Sequence, residues 1–263
     1  MKKLAAILLL LLPIVIIAQE AFPATGRKVV FSGKAGFYVG PDQFGAQYFI
    51  TNNVFSKYAD GKRLDYNNLS IGTIAHADIT NPLMPVLFYR DFNTVVLLDS
   101  QLNEIQEIKF NEPDNPMELW AAGLATQNRL WLFDGLSQQL LLYDFNAKTY
   151  RSITPAIRGG ISWYQSDLNH FYWIDNNQQL YVSDLFGKVT VPGKVPASDF
   201  CRITPTGTLI YVANGKLYYT DPKKENPVMI DLPEKTIRGI GYADQNLFIF
   251  TEDGIIKYNI NLP

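Results

Sequence analysis

Residues 130–144 read Leu-Trp-Leu-Phe-Asp-Gly-Leu-Ser-Gln-Gln-Leu-Leu-Leu-Tyr-Asp. Two short apolar runs flank a polar turn, and each run closes on Asp. Runs this short, rich in aromatic residues and bounded by Asp, Gly and Ser, read as a pair of strands. The same unit recurs. Tyr48–Asn53 leads to Val54–Asp60, Val86–Asp91 to Thr94–Asp99, Phe171–Asp175 to Gln179–Asp184, Leu209–Asn214 to Lys216–Asp221, and Leu247–Asp253 to Ile255–Asn259. Six units begin near 48, 87, 130, 171, 209 and 247, at steps of 39, 43, 41, 38 and 38 residues. A period near 40 with several short strands per unit is the signature of a β-propeller blade. A helical solenoid of similar period would show apolar spacings of three and four instead.

Each pair is preceded by a strand of small residues, as in Ala121–Ala125, Gly160–Tyr164 and Gly239–Tyr242. Such strands fit the crowded axis of a propeller. Each pair is followed by a run of alternating polarity, as in Glu104–Phe110 and Lys188–Val191, which fits an outer edge strand. The last unit has no such run after it, while Arg27–Ser32 precedes the first unit without a partner. We infer that this N-terminal segment completes the last blade. The expected fold class is therefore all-β, a single β-propeller over residues 19–263, closed by strands from both ends. Six blades is the count the period supports; the irregular stretch 35–70 leaves five or seven open. Asp134-Gly135, Asn214-Gly215 and Asp253-Gly254 predict turns with positive φ.

The chain has 263 residues, of which 47% are apolar and 18% charged, so it has the material for a packed core and does not resemble a disordered segment. A net charge of −2 argues against nucleic acid as a partner. Lys2 and Lys3 precede an apolar run, Leu4–Ala18, which is short for a membrane span and suited to a signal peptide. Residues 1–18 are read as that signal, cut after Ala18; a retained N-terminal anchor is the competing reading. No cysteine follows the run to accept a lipid. Loss of the two lysines takes the net charge to −4. No later run is long enough to span a bilayer as a helix. The single cysteine, Cys201, excludes an internal disulfide, so an exported chain of this kind must rest on burial.

The sequence contains no convincing catalytic set. The Asp and Asn residues at 60, 99, 144, 184, 221 and 259 recur once per blade, where each can accept from the amides of its own turn. Spread round a ring, they do not converge on an ion, and no calcium-loop run is present. His76 and His170 lie in different units without a metal-ligand spacing and read as strand-end or surface histidines. Cys201 reads as buried and inert, with Arg202 on the opposite face of its strand. No catalytic residue, metal or cofactor is therefore expected.

Candidate binding residues fall into two groups. Trp120, Arg158, Asp199 and Arg238 occupy corresponding places at the starts of successive inner strands and should ring one mouth of the central channel. Asp199 is the main carboxylate among them. Phe92, Phe145 and Phe186 sit in turns, where apolar tips hint at a protein contact; folding back onto the blade is the alternative, and Phe92 and Phe186 are kept as binding candidates. Trp131 and Trp173 occupy equivalent strand positions and read as packing residues.

Asp78-Ile-Thr-Asn-Pro-Leu-Met-Pro-Val-Leu-Phe-Tyr-Arg-Asp-Phe-Asn-Thr-Val-Val-Leu-Leu-Asp99 resembles the best-marked segment of a family of exported propeller-like proteins of Bacteroidetes. Asn81-Pro82 and Phe88–Phe92 carry the likeness, and Asn103–Ile105 and Leu130–Asp134 are similar too. The resemblance implies a periplasmic protein associated with the outer membrane. Its partner would be an outer-membrane barrel, as for the plug subunit of the type 9 secretion translocon. It supplies no catalytic residues. The leading expectation is thus a non-catalytic interaction module that does not itself span the membrane after signal removal. The alternative is a six-bladed propeller hydrolase, or a ligand or glycan binder, using the channel mouth.

Overall fold

The computed structural model describes residues 22–111, 116–224 and 226–262. The leader read at 1–18 and the connector at 112–115 lie outside them. Six antiparallel sheets follow one another along the chain. Blade 1 comprises Phe37–Pro41, Gln47–Thr51, Val54–Ala59 and Lys62–Tyr66. Blade 2 comprises Ile74–Asp78, Val86–Tyr89, Thr94–Leu98 and Glu104–Lys109. Blade 3 comprises Leu119–Ala125, Arg129–Asp134, Gln139–Asp144 and Thr149–Ser152. Blade 4 comprises Trp163–Ser166, His170–Ile174, Gln179–Asp184 and Val189–Lys194. Blade 5 comprises Phe200–Ile203, Leu209–Ala213, Lys216–Thr220 and Val228–Asp231. Blade 6 comprises Gly239–Ala243, Asn246–Phe250 and Gly254–Asn259, with Thr25–Ser32 as its outer strand. The chain is a six-bladed β-propeller.

The unbroken apolar runs follow from where each blade sits. A middle strand is buried on both faces, so its alternate residues serve two different neighbours. Leu130 and Leu132 pack toward blade 2 with Val86, Phe88 and Val95. Trp131 and Phe133, between them in sequence, pack toward blade 4 with Phe171 and Trp173. The outer strand Thr149–Ser152 is exposed along its whole length.

The turn carboxylates do what their spacing implies. Asp99 Oδ1 accepts from the amides of Gln101 and Asn103, both at 2.8 Å. Asp144 and Asp184 accept in the same way from Asn146 and Ala147 and from Phe186 and Lys188.

The inferred closure is present. Thr25–Ser32 pairs antiparallel with Gly254–Asn259, setting Val29 opposite Ile256 and Phe31 opposite Ile255. Phe31 then reaches past its own blade, with its ring 4.8 Å from Phe49 and 5.1 Å from Tyr58 of blade 1. An unforeseen addition precedes it. Phe22–Pro23 forms a parallel fifth strand on blade 5, with Phe22 opposite Ile230.

Two local expectations need correction. The inner strand of blade 4 is Trp163–Ser166 rather than Gly160–Tyr164. Gly159 and Gly160 precede it with φ of 108° and 71°, outside the extended range of a regular strand. Asn214 and Gly215 turn with positive φ as expected, but the turn after Asp134 closes at Gln138 instead, with φ of 56°. Gly135 is required for a different reason: a Cβ there would fall 2.3 Å from the indole of Trp120.

The closing strand should carry measurable stability. Phe31→Ala removes an aromatic anchor shared between the last and first blades and is expected to cost about 2–3 kcal/mol in urea unfolding. An unchanged midpoint would show that the ring holds without this contact.

Candidate functional site

The inner strands all run the same way, so the ring has two distinct ends. At one end lie the starts of the inner strands, the turns between second and third strands, and the connectors between blades. At the other lie the turns between first and second strands and those between third and fourth strands. Each end of the axis opens into a cavity.

The larger cavity, about 600 Å³, lies where the inner strands finish. That volume is in the range of small-molecule sites. Five blades contribute inner-strand residues to its wall, among them Val39, His76, Asp78, Tyr164, Arg202 and Gly241. The smaller, about 340 Å³, lies at the opposite end and is lined by Phe88, Arg90, Trp120, Trp163 and Tyr164. Tyr164 borders both cavities and so stands between them.

Side chains cross the axis at this level. Asp78, on blade 2, is buried. Its Oδ2 accepts from the amide of Leu124 on blade 3 and the hydroxyl of Ser166 on blade 4, both at 2.8 Å. Its Oδ1 accepts from the amide of Thr80 at 2.8 Å. The approach is possible only because blade 3 presents Gly123 here; a Cβ would sit 2.0 Å from Ser166 Oγ and 2.9 Å from Asp78 Oδ2. His76, two residues before Asp78 and on the same face of the strand, lies against Tyr164 with ring centroids 4.4 Å apart. Arg202, on blade 5, donates from Nη2 to the carbonyl of Val39 on blade 1 at 2.8 Å and from Nη1 to its own neighbour's carbonyl, Cys201, at 3.2 Å.

The electrostatics follow from this enclosure. His76 and Arg202 keep part of their surface on the cavity, yet protein surrounds them on every side. Burial pushes the His76 imidazole down to about 4; Asp78 opposes the shift and Arg202 reinforces it. Burial also lowers Arg202 and raises the Tyr164 hydroxyl. That hydroxyl is aimed at the Ala122 backbone without reaching hydrogen-bond geometry. No ion pair joins Arg202 to a carboxylate among the described residues. Cys201 faces the core instead, where burial pushes its thiol up to about 12, far from a reactive thiolate at neutral pH.

The sequence-derived candidates fall elsewhere. Trp120 lies on the inner strand of blade 3 and lines the smaller cavity, where Arg90 sits over its indole at 5.7 Å and Glu118 accepts from its Nε1 at 3.1 Å. Asp199 and Arg238 directly precede the inner strands of blades 5 and 6, and Arg158 lies in the connector before blade 4. All three are exposed, and none lines that cavity. Phe92 occupies a turn at the same end, whereas Phe186 occupies a turn between third and fourth strands and so belongs to the opposite end. Phe145 folds back into the core.

Two sequence readings are corrected here. His76 is neither a strand-end nor a surface residue, but the middle of an inner strand beside the channel. The channel carboxylate is Asp78 rather than Asp199. Polar residues alternating at 76 and 78, and again at 164 and 166, were the available signal; a strand end hides which face looks inward. His170 does begin its strand, 3.3 Å from Asp167. Among the described residues no three His, Cys, Asp or Glu side chains converge as a metal site, and no helix is long and apolar enough to cross a membrane.

These features define a six-bladed propeller whose channel is crossed by side chains. No protein-family model and no curated sequence matches the chain. Solved structures match its fold. A protein of unknown function from Bacteroides thetaiotaomicron is 12% identical with a TM-score of 0.60, over 91% of this chain and 74% of that one. A streptogramin B lyase is 12% identical with a TM-score of 0.57, over 90% and 88% of the two chains. The WD40 propeller domain of Doa1 is 10% identical with a TM-score of 0.56, over 85% and 77%. Identities this low establish the propeller and leave the activity open.

The enclosed histidine gives a pH signature. Unfolded, it titrates near 6.5; folded, near 4. Between these values the unfolded chain binds the extra proton, so His76 removes stability as pH falls from 6.5 toward 4 and none above that window. His76→Phe is expected to flatten the pH dependence of the urea midpoint there, by on the order of 2–3 kcal/mol. An identical pH profile in the variant would refute an enclosed neutral imidazole.

Proposed function

We propose that the chain is a non-catalytic protein-interaction module, docking through the end of the ring where the inner strands start. The observation that carries this reading is an arc of exposed apolar side chains over three consecutive blades. Phe37 is 57% exposed, Leu69 76%, Phe92 50% and Leu136 59%. They come from the start of blade 1, the connector to blade 2, the blade 2 turn and the blade 3 turn. The short 3-10 helix Leu69–Ile71 buries Ile71 and presents Leu69 outward. Trp120 and Arg90 lie beside this arc, and aromatic and arginine side chains are the usual anchors of interfaces.

The finer reading rests on the Asp78–Asp99 resemblance: an exported, periplasmic protein that plugs the inner end of an outer-membrane secretion pore of the type 9 kind. Asp78, Asn81 and Asp91 in that segment have clear structural work. They accept from the amides of Thr80, Leu83 and Thr73 respectively. The Phe92 backbone carbonyl is held by Thr94 and Asn111 while its ring stays half exposed, which supports its use at a contact. The non-enzymatic reading is supported by the channel itself, where the carboxylate of Asp78 already accepts three hydrogen bonds and has little capacity left for general base chemistry.

Tagged protein recovered from gently solubilised envelopes is expected to bring down an outer-membrane barrel near one to one. Leu69→Ser combined with Phe92→Ser should lose the partner while keeping the unfolding midpoint, since both side chains are exposed. A monomer with no partner from native envelopes would overturn the plug reading, and retained binding in the double variant would move the interface to another surface.

A further inference from the structure

The larger cavity holds polar groups that the fold does not use. Arg202 carries five N–H donors, and its two hydrogen bonds go to the carbonyls of Val39 and Cys201. Its other N–H groups meet no acceptor among the described residues. A guanidinium so enclosed without a carboxylate partner is costly, and a bound anion would remove that cost. Beside it, the His76 ring makes no hydrogen bond to any described residue, while the Tyr164 hydroxyl is buried against the Ala122 backbone and leaves only its ring to the cavity.

The other charges of the wall narrow the class of ligand. Asp42, Asp78 and Asp167 also line the cavity. Each is consumed by local structure. Asp42 accepts from the amides of Phe44 and Ala46 and the hydroxyl of Tyr48. Asp167 accepts from the amides of Asn169 and His170 and the hydroxyl of Tyr172. Asp244 is exposed at the rim. These carboxylates repel a multiply charged anion, whereas one negative charge seated directly on the guanidinium fork is favoured. The rings of His76 and Tyr164, tilted 37° against each other, and Tyr242 on the wall offer aromatic surface to the body of such a ligand.

We infer that this cavity is a binding site for a small organic monocarboxylate, anchored by Arg202 and resting on His76 and Tyr164. It lies at the opposite end of the ring from the docking arc and stands independently of it. The acid could be free or the C-terminal end of a polypeptide; the guanidinium fork recognises the same group in both.

Calorimetric titration of the full chain with 3-phenylpropionate, its uncharged amide and inorganic phosphate tests the site. The acid is expected to bind saturably, and the amide about tenfold or more weakly, the size of a charge-assisted hydrogen bond. Phosphate should bind more weakly than the acid. Arg202→Met should abolish binding, and Arg202→Lys should retain part of it. Should the methionine variant not fold, the acid-to-amide ratio on the unmodified protein decides alone. Equal binding of acid and amide, tighter binding of phosphate, or no saturable binding of the acid up to millimolar concentration would each overturn the proposal. Short peptides ending in Phe, with free or amidated C-termini, separate the two sources. A free-ended peptide that outbinds phenylpropionate supports the site with a polypeptide end as its ligand, and the reverse order supports it with a free acid.

Discussion

One buried carboxylate organises the axis of this molecule. Asp78 accepts from blades 2, 3 and 4 at once, from the amides of Thr80 and Leu124 and the hydroxyl of Ser166. A charge taken out of water is tolerable only when its lone pairs are met, and here three donors meet them. Gly123 supplies the space for that approach. The arrangement fixes how far the inner ends of three sheets can separate. On the other side of the axis Arg202 ties blade 5 to blade 1, passing over blade 6. The channel is therefore crossed by polar ties as well as lined by small residues.

The two kinds of tie differ in a way that bears on function. Around Asp78 both carboxylate oxygens accept from the fold, so the group belongs to the scaffold. Around Arg202 the hydrogen bonding is incomplete, and the neighbouring imidazole shares that condition. Groups satisfied by their own fold hold structure; groups left partly unsatisfied inside a cavity are available to something else. The same contrast separates the turn residues. Asp99, Asp144 and Asp184 are used up by their turns, while Phe92 and Phe186 project from turns with much of their rings exposed.

The blade pattern was legible because each middle strand is buried on both faces and every blade repeats that constraint. Leu130–Asp134 and its five counterparts therefore carry the same short apolar run, and the run length separates strand from helix. Closure by Arg27–Ser32 was legible as a deficit, one strand without a blade and one blade without a strand. The parallel strand Phe22–Pro23 was not, because two residues carry no periodicity. The channel groups were obscured for another reason. An inner strand alternates between the axis and the blade interface, and Cys201 with Arg202 shows the alternation clearly. At 76 and 78, the sequence did not show that the polar face turned inward toward other polar groups rather than outward to water.

The closing strand imposes an order on how the molecule can come into being. Thr25–Ser32 is made before the inner strands of all six blades, and its partner Gly254–Asn259 after them. Until that late segment arrives, the early strand and the edge of blade 6 have nothing to pair with. An open apolar edge is a hazard for as long as it persists. A chain built this way can assemble its earlier blades from local strands, but its ring cannot close until that last segment has been made.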